Sequence, residues 1–315
     1  GLIGLGANAK AASIAGDLVV QNARVRAIGE DAGGFRPISE KDLFDCEYWS
    51  LEQAKLGKGA PPKFQGKIVM ITGGSGTIGF AIAEAFSKLG AQTILVDKDE
   101  TALKKAVTKL GVGHAYFPID VTETDAADQA MLAAIQNFGG LDILVSNAGA
   151  AHAGPMLSIS NDELRNAFEL NFFSHYSFST EAAKILKNQN RGGQILFNIS
   201  KQAVNPGKNF GAYGLPKATT FFLMRQLALE LGSDGIRVNG INADRIRSGL
   251  LTDDFISSRA KSRGVSETEY MAGNLLNKEV KAEHVANAFT SLACAESTTG
   301  HVMTVDGGNI EASLR

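Results

Sequence analysis

Tyr213 and Lys217, in the stretch AYGLPKA, stand four residues apart. On a helix that spacing puts both side chains on one face. A phenol titrates near pH ~10 and is a poor base at neutral pH. A nearby ammonium favours the phenolate and draws that pKa down. The pair therefore reads as an acid/base device for moving a hydroxyl proton. Alone, the same spacing is also ordinary helix surface. Ser200, closing the apolar stretch GQILFNIS (193–200) upstream, adds a hydroxyl that tips the balance towards chemistry. Pro216 between the pair fits a helix that is only just starting there.

A second set of residues is suited to binding. TGGSGTIG (72–79) follows the apolar run KIVMIT (67–72) and leads into IGFAIAEAFSKLG. A glycine turn between strand and helix presents backbone N–H groups to an anion. Gly73 permits the tight turn, and Gly79 lets the helix pack close to the strand. Thr77 stands where the usual pattern has its middle glycine, with Gly76 beside it. Asp97 ends the next apolar run, QTILVD (92–97). An acid there accepts hydrogen bonds from the ribose hydroxyls of NAD and repels the 2′-phosphate of NADP. Lys98, its neighbour, works against that preference.

The elements that must position these groups alternate. Further short apolar runs are HAYFPID (114–120), LDILVSN (141–147), RVNGIN (237–242) and VMTVD (302–306), with apolar helical stretches between them. Strands alternating with helices predict an α/β fold: a doubly wound parallel sheet, the Rossmann architecture, covered on both faces. Residues 1–60 read differently. Residues 7–29 carry apolar residues at helical spacing, and SEKDLFDCEYWSLEQAKL (39–56) reads as a helix opened by Ser39. GKGAPPK (57–63) breaks the chain. The reading is a helical extension, or the remnant of an upstream domain, over 1–60 and a Rossmann-type domain over 61–315.

Composition excludes other classes. A net charge of −2 supplies no basic field for nucleic acid. No apolar run approaches the ~18 residues of a membrane span. The two cysteines and five scattered histidines form no metal motif, so no metal is expected and a reducing cytoplasm is the default.

From about residue 64 to 309 the chain resembles the short-chain dehydrogenases/reductases. The resemblance rests on TGGSGTIG (72–79), Asp97, Asp120-Val121, Asn147-Ala148-Gly149, Leu170-Asn171, Ser200, Tyr213 with Lys217, RVNGIN (237–242) and VDGG (305–308), in family order. It implies an NAD-dependent oxidoreductase acting on a small alcohol/carbonyl pair. Tyr213 would be the general acid/base and Lys217 would lower its pKa and bind the nicotinamide ribose. Ser200 would bind the substrate oxygen, and Asn171 would hold a water of the proton relay. Gly73, Ser75, Thr77, Ile78, Gly79 and Asp97 would bind the cofactor. Asp120 and Val121 would contact adenine, and Asn147, Ala148 and Gly149 would line the cofactor. Where the family often has Pro-Gly and then Thr, this chain has Ala243-Asp244, Arg245, Ile246, Arg247 and Ser248. Ser248 would take the Thr role, and the two arginines are candidates to meet an acidic substrate.

DLFDCEYWSLEQAKL (42–56) ahead of such a domain resembles bacterial proteins that fuse a class II aldolase to a short-chain dehydrogenase, the rhamnulose-1-phosphate aldolase/alcohol dehydrogenase group. That implies sugar-derived hydroxyaldehydes or polyols as substrates and an associated aldolase half. The alternatives are a non-catalytic NAD-binding or scaffold module, and a sugar epimerase using related residues. Family members commonly pair through helices matching about 162–189 and 213–232 here, which implies a homodimer or homotetramer. FFLMRQLALEL (221–231), apolar nearly all round, suits such burial.

Overall fold

The computed structural model describes residues 3–6, 9–47, 60–151, 153–249 and 251–309. The chain divides into two compact units, residues 1–66 and 67–315. The first holds helices α1 (Ala9–Asp31) and α2 (Glu40–Glu47). Ser39 opens α2 as its sequence predicts: the Asp42 N–H donates to its Oγ at 3.1 Å, and that hydroxyl donates to Asp42 Oδ2 at 2.7 Å. Residues 48–56 of that predicted helix lie outside the described residues. Along α1, Ile14, Leu18, Val25 and Ile28 form an exposed apolar stripe.

The second unit is built on seven strands: β1 (Ile68–Thr72), β2 (Gln92–Asp97), β3 (Ala115–Pro118), β4 (Ile143–Ser146), β5 (Gly193–Asn198), β6 (Ile236–Ala243) and β7 (Val302–Val305). They form one sheet in the order β3-β2-β1-β4-β5-β6-β7, and every pairing is parallel. β1 and β4 are buried along their whole length. That is why they read as continuous apolar runs rather than alternating ones.

Helices α3 (Thr77–Lys88), α4 (Glu100–Leu110), α5 (Ala126–Phe138), α6 (Asn161–Phe168), α7 (Ser174–Gln189), α8 (Gly211–Leu231), α9 (Asp253–Arg263), α10 (Glu267–Met271) and α11 (Ala282–Cys294) complete the unit. α3 packs with α4 and α11, while α5 packs with α7 and α7 with α8. On the α5/α7 side, Met70, Leu144, Ile195 and Phe197 of the sheet meet Ala130, Ala134, Phe178, Leu186 and Met224 of the helices in one buried cluster.

Two local features shape the site. α8 begins at Gly211, so Pro216 lies in its second turn rather than at its start. The sequence expectation is corrected there: the helix continues through a missing N–H and one absent i→i−4 bond. Between α6 and α7, residues Glu169–Phe173 form a π-turn centred on Asn171. Such a turn widens the helix and commonly marks a functional position.

The chain leaves β1 outward through β2 and β3 on one side, and returns to build β4 to β7 on the other. The reversal lies between β1 and β4. In open α/β sheets the ligand crevice opens at the carboxyl ends of the strands at that switch point.

Candidate active site

A cleft of about 1040 Å³ opens there. One end is the glycine turn. Gly73 has φ +64°, the left-handed region that glycine adopts without strain. A Cβ on Gly79 would fall 2.1 Å from the Gly73 carbonyl oxygen, so any side chain there would force α3 off the turn. Gly76, Thr77 and Ile78 line the cleft. α3 starts at Thr77 with no side-chain cap, leaving its first N–H groups to face the cleft.

Asp97 lines the cleft at the tip of β2. Its Oδ2 accepts hydrogen bonds from the Ser75 hydroxyl at 2.7 Å and the Ser75 N–H at 3.2 Å. Ser75, expected among the binding residues, is absent from the lining and instead braces Asp97. Lys98 is drawn to Asp120 at 3.5 Å. Burial presses the Asp120 carboxyl up, but the Thr122 N–H and hydroxyl and the Lys98 ammonium outweigh it and hold the group below its ordinary value. Val121 lines the same wall.

The middle of the cleft is a polar network tying three strand ends together. The Asn147 side chain donates to the Thr72 carbonyl at 2.9 Å and accepts from Asn198 Nδ2 at 2.8 Å. The Thr72 hydroxyl accepts from the N–H groups of Asn147 and Ala148. A Cβ on Gly149 would lie 2.8 Å from Asn171 Oδ1 and 3.5 Å from Lys217 Nζ, so only glycine lets the chain pass both.

Tyr213, Lys217, Ser200 and Asn171 converge here although they come from different elements. Tyr213 and Lys217 are 8% and 2% exposed. The Lys217 ammonium donates to the Asn198 carbonyl at 3.0 Å and to His175 Nε2 at 3.3 Å. His175 Nδ1 meets the Ser146 hydroxyl at 2.6 Å. Burial first, and Lys217 second, force His175 well below its ordinary pKa. It is neutral and accepts from Lys217, with its proton assigned to the Ser146 side. The Asn171 side chain donates to the carbonyls of Ala150 and Ala167, at 2.9 and 3.1 Å. Its Oδ1 is buried with no hydrogen-bond partner among the described residues.

The electrostatics differ from the sequence expectation. Burial pushes the Tyr213 phenol up to about 12, with its Ser200 hydrogen bond working the other way. Burial also lowers Lys217 to about 7. Its Nζ lies 5.9 Å from the centre of the Tyr213 ring. The spacing of the pair places them correctly; desolvation, which no spacing reveals, sets their pKa values in the bare cleft. A phenol so raised keeps its proton at neutral pH in the bare cleft and can hydrogen-bond an oxygen placed beside it.

Beyond Ser200 the loop after β6 departs from the expectation in a second way. Asp244 Oδ2 accepts from Lys201 Nζ at 2.9 Å and Asn309 Nδ2 at 3.0 Å, and lies 3.5 Å from Arg245 Nε. Arg245 takes φ +52° and donates to the carbonyls of Tyr270 and Gly273. Arg247 is held by Glu279 at 2.8 Å and by Asp253. Both arginines, candidates to meet an acidic substrate, are already committed to the protein. Ser248 lines the cleft and donates to the Ile246 carbonyl at 3.2 Å. Sequence reasoning missed Thr72, Asn198, His175 and Arg259. A polar residue closing an apolar strand could have flagged Thr72 and Asn198; no local signal marks the other two.

Residues 74–309 match the family model described as enoyl-(acyl carrier protein) reductase, over most of the second unit. The chain belongs to the short-chain dehydrogenases/reductases. It is an oxidoreductase of that family. A 3-ketoacyl-(acyl-carrier-protein) reductase from Brucella melitensis, solved with NADH, is similar at 26% identity with a TM-score of 0.69, covering 77% of this chain and 98% of that one. L-sorbose reductase from Gluconobacter frateurii, solved with NADPH and L-sorbose, is similar at 28% identity and TM-score 0.72, covering 79% and 98%. Residues 1–56 match the second domain of class II aldolase. An uncharacterized oxidoreductase of Bacillus subtilis, YuxG, is 32% identical across 98% of this chain, which spans only 47% of that relative's length. No helix among the described residues is long and apolar enough to cross a membrane.

Proposed function

We propose that the chain is an NAD-dependent oxidoreductase for a small alcohol/carbonyl pair. The observation that carries this reading is the convergence of Ser200, Tyr213 and Lys217 in one cleft with the glycine turn and Asp97, with Asn171 buried just behind Gly149. The residues present fit a dinucleotide. The uncapped start of α3 and the turn at Gly73 and Gly76 suit the pyrophosphate. Asp97 suits the adenine ribose and Val121 the adenine wall. Gly149 keeps the passage beside Lys217 and Asn171 open. When bound, nicotinamide supplies the hydride exchange. The protein supplies the rest. Tyr213 gives its phenolic proton to the reacting oxygen, or takes one back. The Ser200 hydroxyl hydrogen-bonds that oxygen and steadies its developing charge. The Lys217 ammonium stabilises the phenolate, and the unpartnered Asn171 Oδ1 is the acceptor that seats a relay water. Mixing the protein with NAD or NADP and a panel of diols, polyols, hydroxyaldehydes and sugar acids is expected to produce reduced cofactor. No turnover on any of them, with dinucleotide binding intact, would favour the scaffold reading.

The preference for NAD rests on Asp97 beside the ribose position and on Lys98 being drawn to Asp120. Asp97→Ser removes the like charge facing a 2′-phosphate, and is expected to raise kcat/KM for NADP relative to NAD by at least about tenfold. An unchanged ratio in steady-state assays would count against Asp97 as the discriminator.

The first unit is read as the tail of an aldolase domain, supported by the match of residues 1–56 and by the apolar stripe of α1. A small sugar-derived substrate, as with the sorbose of the structural relative, follows from that link. On α8, Leu215, Phe222 and Leu229 recur every seven residues and stay exposed, which supports pairing of two copies through this helix. Light scattering at micromolar concentration is expected to give a dimer or tetramer; a monomer would overturn the pairing.

A further inference from the structure

Arg259 on α9 is a cation of the cleft that faces no acid among the described residues. Its guanidinium carbon lies 5.4 Å from the centre of the Phe210 ring and 5.7 Å from that of Phe255. The two rings meet edge to face at 5.9 Å. Its Nε is buried with no hydrogen-bond partner, and no carboxylate lies within ion-pair distance among the described residues. Lys201, Arg245 and Arg247, around the lid formed by α9 and α10, each face an acid, whereas Lys208 and Arg263, which also line the cleft, are exposed to solvent rather than buried against it. Arg259 lines the same cleft as Ser200 and Tyr213. Phe210, over which it lies, immediately precedes α8, whose first turn carries Tyr213. That contact seats the guanidinium beside the start of the helix that bears the reacting tyrosine. A buried donor left without an acceptor is costly, and a guanidinium seated over aromatic rings keeps a fork of donors that matches carboxylate and phosphate oxygens.

We propose that Arg259 binds an oxyanion of the substrate, a carboxylate or a phosphate monoester, while the hydroxyl or carbonyl to be oxidised or reduced lies at Ser200 and Tyr213. The inference rests on the oxidoreductase reading and narrows its substrates to hydroxy or keto acids and sugar phosphates. It also reassigns the anion-binding role: the arginines that follow β6 in sequence hold the lid, and an arginine on α9 faces the ligand.

The test is calorimetric titration of the full chain with glycerate, threonate and ribonate, with the terminal phosphates of glycerol, threitol and ribitol, and with the three neutral polyols. At least one anion is expected to bind better than its neutral partner by about tenfold, the scale of a charge-assisted pair. Arg259→Gln erases that difference and Arg259→Lys restores part of it. Arg247→Gln leaves it in place. Preference among the acids assigns a carboxylate; preference among the phosphate esters assigns a phosphate. Equal binding by wild type and Arg259→Gln, or no anion bound better than its polyol, overturns the inference. Reduced-cofactor formation is followed separately. Turnover of neutral diols without Arg259-dependent anion binding spares the oxidoreductase reading, whereas Arg259-dependent binding without any turnover overturns that reading alone.

Discussion

Tyr213→Phe is expected to lower kcat by at least about a thousandfold, within the range general acid/base groups supply, while leaving the fold and dinucleotide binding intact. The ring is buried and the phenylalanine ring fills the same volume, so packing is conserved. Only the hydroxyl and its hydrogen bond with Ser200 disappear. With its pKa pushed up to about 12 by burial, that hydroxyl carries its proton at neutral pH and is placed to give it to a carbonyl oxygen. Among the described residues no second acid of the cleft can replace it: Asp97 and Asp120 lie at the glycine-turn end, and Asp244 is occupied by Lys201 and Asn309. Initial rates in both directions, carbonyl reduction with reduced cofactor and alcohol oxidation with oxidised cofactor, beside cofactor fluorescence titrations, check both halves. Turnover within tenfold of wild type would remove Tyr213 from the chemistry, and lost cofactor binding would show that the variant disturbs more than a proton.

Lys217→Met is expected to inactivate the enzyme and to compare best with wild type in Tm near neutral pH, losing ground as the pH rises. The ammonium is 2% exposed, and burial alone brings its pKa to about 7. In the unfolded chain the same group titrates near 10.5. Between those values the unfolded chain binds more protons than the folded one, so wild-type stability climbs with pH across that window. A methionine has no such dependence. The Tm of the variant relative to wild type is therefore highest near neutral pH and falls towards pH ~10. The variant's cost is the donor lost from the Asn198 carbonyl and from His175 Nε2, on the order of 1–3 kcal/mol for each; that cost does not vary with pH above about 7, so the slope of the difference reports the buried ammonium. His175 does not blur the comparison, because its unfolded pKa of 6.5 puts its contribution below the window in both proteins. Tyr213 acts above it: with a folded pKa of about 12 against 10.0 unfolded, it lowers stability only as pH rises past 10. Melting curves at several pH values, together with rates, decide the matter. A pH-independent difference in Tm would mean that Lys217 is not held as a buried, strained cation.

Certain features were legible without coordinates, and they share a cause. β1, β2 and β4 read as near-continuous apolar runs because the middle of a parallel sheet, buried on both faces, leaves no polar side to show. The glycine turn was legible because local geometry excludes other residues: φ is +64° at Gly73, and a Cβ at Gly79 would sit 2.1 Å from a carbonyl oxygen. Tyr213 and Lys217 were legible because one helix turn sets their separation. Pro216 misled because the length of helix ahead of it depends on where Phe210 and Gly211 dock.

The settings of the site were decided elsewhere. His175 reaches Lys217 from another helix, and Asp244 reaches Asn309 from the far end of the domain. Arg245 and Arg247 looked free in the sequence because the groups that hold them, the Tyr270 and Gly273 carbonyls and Glu279, arrive only when the lid folds back. Arg259 was not singled out in the sequence: Phe255 stands one helix turn back, but Phe210 comes from ahead of α8 and reaches it only in the fold. Backbone conformation and periodicity are short-range properties, written into a few consecutive residues. Burial, and with it the pKa of Lys217 and the choice of which arginine is left to bind a ligand, is a sum over neighbours brought from the whole chain, and exists only once the sheet and its lid have closed around them.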